Sequence, residues 1–97
     1  MDAKSQENHY EAASSILESW GLDSKQKGQL LRDHETVLNV LTIQDSLMCI
    51  FENDGDRAAA WPLKSNRAFD GASALDVMLS GDGERVRQYL KYHVYNA

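Results

Sequence analysis

Apolar residues recur at helical spacing from His9 onward. Ala12, Ile16 and Trp20 fall four residues apart, flanked by Ala13 and Leu17, and Gly21 closes the run. Leu22 to Leu31 reads as a second, shorter helix capped by Asp23 or Ser24. Gly28 weakens it by about 1 kcal/mol relative to alanine. The third helix, Asp33 to Glu52, carries the broadest stripe: Val37, Val40, Leu41, Ile43, Leu47, Met48, Ile50 and Phe51 cover about half its circumference. Leu38 lies outside this arc and Gln44 interrupts it. An arc so wide serves either a central helix touched on several sides or the seam of a homodimer.

Beyond that helix the pattern shortens. Asn53-Asp54-Gly55-Asp56 is a turn, and a helix from Asp56 to Trp61 ends at Pro62. A structured loop, 62–72, follows. Ser73 with Asp76 three residues on is a capping-box pair for a helix from Ala74 to Ser80, stopped by Gly81. Asp82 then caps a last helix, Gly83 to Tyr95. Val86, Tyr89, Leu90, His93 and Val94 share one of its faces, while Tyr92 and Tyr95 fall outside it beside Arg85, Gln88 and Lys91. The expected fold is all-α, a small single-domain bundle of about six helices. It divides into a flexible stretch at 1–8, a helical part at 9–53 and a C-terminal part at 54–97.

Composition narrows the function. The 97 residues are 42% hydrophobic and 26% charged, which suits one globular domain with an economical core. The net charge of −5 is unevenly spread: residues 1–56 hold eleven Asp/Glu against four Lys/Arg, and residues 57–97 hold four against six. The front half would repel a phosphate backbone, whereas the rear tolerates an anionic partner. Cys49 is the one cysteine, so an internal disulfide is impossible and a reducing compartment is expected. The polar N-terminus is no signal peptide and no apolar run approaches the ~20 residues of a membrane span, so the expected location is the cytoplasm.

Catalytic or metal chemistry does not assemble. His9, His34 and His93 lack partners at zinc-ligand spacing, and His93 on an apolar face reads as a hydrogen-bonded core residue. Cys49 has no histidine or lysine nearby in sequence to activate it. Asp54-Gly-Asp56 resembles the start of a calcium loop, but the twelfth position is Ser65 rather than glutamate. Gly81-Asp-Gly83 is followed by no GK[ST]. The reading is a binding protein with no cofactor or metal, not an enzyme.

One stretch, WPLKSNRAFDGASALD, supplies a resemblance. Trp61, Asn66, Phe69, Gly71, Ser73, Leu75, Asp76 and Gly81 resemble the toxin-binding domain of Xre/MbcA/ParS antitoxins. That domain's signature is approximately W-L-x-x-P-N-x-x-L-x-G-x-[ST]-P-L-[DE] and then a glycine. Order and spacing match without a gap, and GERVRQYL, Gly83 to Leu90, is similar to the family's last helix. The departures are Pro62 for leucine, and Ser65 and Ala74 for prolines. ILESWGLDSKQKGQLL, from Ile16, resembles the start of the family's helix-turn-helix, and Val37 to Asn53 its long helix, but only Arg32 to Thr36 stands where a recognition helix belongs. The resemblance implies an antitoxin-like protein with little means of reading DNA. Its implied partner is a RES-type, NAD-degrading toxin, silenced when the antitoxin's C-terminal region obstructs the active site. On the residues themselves, Trp61, Asn66, Phe69, Gly71, Ser73, Asp76 and Gly81 form a structural corner holding the last two helices. Arg67, Lys91, Tyr92, Tyr95, Asn96 and Ala97 are the candidates for partner contact. A DNA-binding autoregulator, or a module repurposed for another protein partner, is the alternative.

Overall fold

The computed structural model describes residues 3–96. Six α-helices follow one another: α1 (Ala3–Ser19), α2 (Ser24–Leu30), α3 (His34–Ile50), α4 (Gly55–Ala60), α5 (Ala74–Leu79) and α6 (Gly83–Tyr95). Two 3-10 turns, Trp61–Leu63 and Arg67–Phe69, lie between α4 and α5. The described residues hold no strand, so the architecture is all-α.

The first helix begins at Ala3 rather than His9, six residues upstream of the expected start. Lys4, Gln6 and Glu7 are polar, but they are straight-chain residues with good helix propensity, and no breaker precedes His9. Its buried stripe is Ala13, Leu17 and Trp20; Ile16 is half-buried and Ala12 exposed. Spacing of i, i+4, i+7 stays within about 60° of arc, whereas strict four-residue spacing drifts by about 40° per step. That difference turns Ala12 outward.

Capping boxes open three helices: Ser73 caps as expected, Asp23 rather than Ser24 is the cap of α2, and Asp33 stands just outside α3 as its cap instead of being its first residue. Asp23 with Gln26, Asp33 with Thr36, and Ser73 with Asp76 each make a reciprocal capping box. Asp82 makes no side-chain cap on α6. Its own N–H is held by the Val77 carbonyl at 3.2 Å, closing α5, and its φ, ψ of −113°, 45° leave the extended region an N-cap needs. Pro62 does not end α4 either. It sits buried inside the first 3-10 turn, near whose start its missing N–H costs nothing.

Helix α3 is the axle. It packs against α1 on one side and α6 on the other, and Val37, Val40, Ile43 and Leu47 are buried between them. Gln44, which breaks the stripe, accepts the indole N–H of buried Trp20 at 3.3 Å. The wide apolar arc is therefore spent largely within one chain. One core cluster runs from Ala13 to Leu90 and crosses residue 53 without a gap.

Candidate functional site

The corner between α4 and α5 is tied by its own backbone. Asn66 donates its N–H to the Ala72 carbonyl at 2.9 Å, and its carbonyl accepts from both Phe69 and Gly71 at 3.0 Å. Its side-chain oxygen accepts from the Ala68 N–H at 2.9 Å. Asp70 and Gly71 are both left-handed, with φ of 57° and 89°, which turns the chain back toward Ser73. A Cβ on Gly71 would meet nothing within 4 Å, so the glycine answers to its backbone angle and not to a close neighbour. Ala74 occupies the first position of α5, where the family's proline would also be at home.

Aromatic rings seat this corner on α6. Phe69 is buried and meets the Trp61 ring edge-on at 6.4 Å and the Tyr89 ring at 5.2 Å. Trp61 and Tyr89 are stacked, 6.2 Å apart and inclined by 15°. Arg85 of α6 lies over Phe69 at 5.3 Å, donates to the Ala68 carbonyl at 3.2 Å and comes within 4.0 Å of the Asp70 carboxylate. These contacts set the loop against the first half of α6.

His93 corrects the sequence reading. It is exposed rather than a core residue, with its ring on Tyr89 at 4.3 Å and near Tyr92 at 5.6 Å. The reason is the end of α3: the chain turns away at Phe51 and no apolar wall covers the last turns of α6. What results is a groove of about 390 Å³. It is lined by buried Leu90, by half-buried Ile50, Trp61, Tyr89 and Val94, and at its exposed rim by Cys49, Glu52 and His93.

The candidate contact residues separate into two places. Lys91, Tyr92, Tyr95 and Asn96 are all exposed at the end of α6, Tyr92 by 65% and Tyr95 by 77%. Asn96 is also the cap of that helix, its amide donating to the Tyr92 carbonyl at 2.8 Å. Arg67 is exposed, but its turn is fastened through Arg85 to the other end of α6. At 1.5 Å per residue, Arg85 and Tyr95 are about 15 Å apart along the axis. Arg67 therefore does not join the tyrosine patch. Ala97 lies outside the described residues.

Glu52 is the residue the sequence reading passed over. Helices α1, α3 and α5 all end with the same pair of backbone bonds. The second residue past the cap donates back five positions, as Leu22 to Leu17, Asn53 to Met48 and Asp82 to Val77, and the residue before it donates back three, as Gly21 to Glu18, Glu52 to Cys49 and Gly81 to Met78. The residue before it must be left-handed. In α1 and α5 that residue is Gly21 or Gly81; in α3 it is Glu52, with φ of 54°. The available signal was a helix ending in Glu-Asn with no glycine.

A second concavity, about 340 Å³, lies where the α2–α3 and α5–α6 turns meet. Asp33, Glu35, Asp82 and Glu84 line it against the single cation Arg32. The Thr36 backbone N–H holds the Asp33 carboxyl below the usual range, and the Arg87 guanidinium does the same for Glu84. Both carboxylates are solvated. Among the described residues no group of three or more His, Cys, Asp or Glu is arranged to hold a metal, and no helix is long and apolar enough to cross a membrane.

The comparisons agree with this geometry. The chain is similar to y4oB, an uncharacterized protein of Sinorhizobium fredii (strain NBRC 101917 / NGR234), with 46% identity over 59 residues. That match covers 58% of this chain and 45% of the relative, so it spans less than half of the relative's length. No solved structure matches the chain. The family model for the antitoxin Xre/MbcA/ParS C-terminal toxin-binding domain matches residues 46–93. Those residues hold the corner, the Trp61–Tyr89 stack and α6 as far as His93, and through them the chain belongs to the Xre/MbcA/ParS antitoxin family.

Proposed function

We propose that the protein is an antitoxin-like inhibitor that binds a RES-type, NAD-degrading toxin and neutralises it by occluding its active site. The observation that carries the reading is the toxin-binding-domain match at 46–93. It stops just short of the most exposed large apolar side chain of the described residues, Tyr95. The family supplies the antitoxin class; the RES-type target and the occlusion are inferred. In this reading Lys91, Tyr92, Tyr95 and Asn96 reach the toxin, Arg67 makes a separate contact, and the corner fixes the direction of α6. Exposed tyrosines suit the task, since they bring contact area at low entropic cost. A free cation such as Lys91 suits the polar mouth of a nucleotide pocket. The protein acts by shape and needs no catalytic group of its own.

The test is co-expression of the tagged chain with a RES-domain toxin from the same organism, followed by an assay of NAD breakdown. A stoichiometric complex should be silent and should regain activity when dissociated. A variant lacking residues 95–97 and carrying Tyr92→Ala should fold, since these side chains are exposed, and should fail to silence the toxin. Undiminished inhibition by that variant would rule out occlusion by the end of α6. NAD breakdown unaffected by the intact chain would rule out the target.

A further inference from the structure

The groove between the end of α3 and α6 is a second feature of the same face, distinct from the tyrosine patch. We infer that it is an anchor site for the partner protein: it receives one aromatic or large aliphatic side chain with a cation beside it. The inference rests on the reading above for the partner's identity, but its chemistry stands on three separate observations.

The first is shape. A volume of about 390 Å³ is at the low end of the range of roughly 300–1,000 Å³ for ligand sites, room for one side chain and not for a helix. The lining joins the mutually stacked Trp61 and Tyr89 rings to Leu90, the kind of aromatic surface on which a single buried anchor contributes most of an interface's energy. The second is charge. Glu52 stands on the rim and makes no ion pair among the described residues. Asp54 and Asp56 follow on the next turn, both exposed. A cation next to the anchor meets this edge favourably. The third is backbone. Glu52 holds a position for which α1 and α5 both use glycine, at a left-handed angle that opposes a side chain. Local strain of that kind gathers at sites where the side chain has a use. Seven of the eight lining residues also fall within the matched segment 46–93, so the groove is continuous with the toxin-binding unit.

The full-length chain can be tested without any toxin. Tryptamine carries an indole and an ammonium; indole-3-propionate carries the same ring and a carboxylate. In an NMR titration at pH 7.5, tryptamine should shift Trp61 and Tyr89 saturably, with the buried Trp20 indole as the unmoved control. It should bind at least threefold more tightly than indole-3-propionate. Glu52→Gln should bring the two near parity, and Cys49→Trp, which fills the groove from an exposed position, should abolish both. No saturable shift, or equal binding of the two probes to the native chain, overturns the proposal. In co-expression, Cys49→Trp should lower capture of the RES-domain protein at least tenfold with Tyr92 and Tyr95 intact, and unchanged capture overturns the anchoring role. If the native chain captures no RES-domain protein, the target is wrong, and the two probes still decide the groove on their own.

Discussion

A left-handed glutamate is an expense that the chain carries at one residue. Left-handed backbone costs an ordinary side chain roughly 1–2 kcal/mol, and glycine loses some 0.5–1 kcal/mol more entropy on folding than alanine. The difference favours glycine at Glu52, so Glu52→Gly should raise stability by roughly 0.5–1 kcal/mol. For a domain of this size that lifts the Tm by roughly 2–8 °C. The same substitution should reduce tryptamine binding. Thermal melts and the titration check the two halves: a Tm that falls would show that Glu52 is held by contacts and not merely tolerated. Asn53, also left-handed at φ of 65°, is the contrasting case, because asparagine enters that region readily and needs no functional reason to be there.

At the scale of elements, caps were the most legible feature. Ser73 and Asp76 stand three apart and close a box because the geometry of a helix's first turn is local. Asp82 has the same chemistry and fails, because its backbone, tied to the Val77 carbonyl that closes α5, lies outside the extended region, a fact absent from the residue type. The wheel of α6 was read correctly at Val86 and Leu90 and wrongly at His93. Periodicity tells which residues share a face; it does not tell where the opposing helix stops. The groove was illegible for that reason. It is made by the end of α3 as much as by any residue lining it. One cap also gives a pH dependence. Bonding to the Thr36 N–H lowers the folded-state pKa of Asp33 below its ordinary 3.8. The unfolded chain therefore binds the proton first. The stabilisation is full above that value and disappears as the pH falls through the lower, folded one. Asparagine caps equally well without titrating. Asp33→Asn should match the native Tm at pH 7 and lose less of it between pH 4 and pH 2; parallel losses would show that this cap does not contribute to acid sensitivity.

At the scale of the whole molecule, the matched segment is not a separable unit. It begins at Ser46, inside α3, yet α6 lies along the earlier half of that helix as well. A Cβ on Gly83 would stand 3.4 Å from the Asn39 side chain, more than a full turn before the segment starts. Trp20, Leu17 and Ala13 close the other side of α3, and the core they share with Val86 and Leu90 is continuous. A chain of 97 residues has little surface to spare, and half of one has less. A fragment of residues 46–97 should therefore lack cooperative unfolding by circular dichroism and should capture no partner, although every residue assigned to the contact is present in it. A melt of that fragment as sharp as that of the full chain would mean that α1 and α2 are ornaments on an autonomous domain. The predicted outcome gives them a different standing: α1 and α2 line neither groove nor tyrosine patch, and they act on both by holding α3 in place beneath α6. Destabilising changes in α1 should then weaken partner capture in proportion to the folded population they remove.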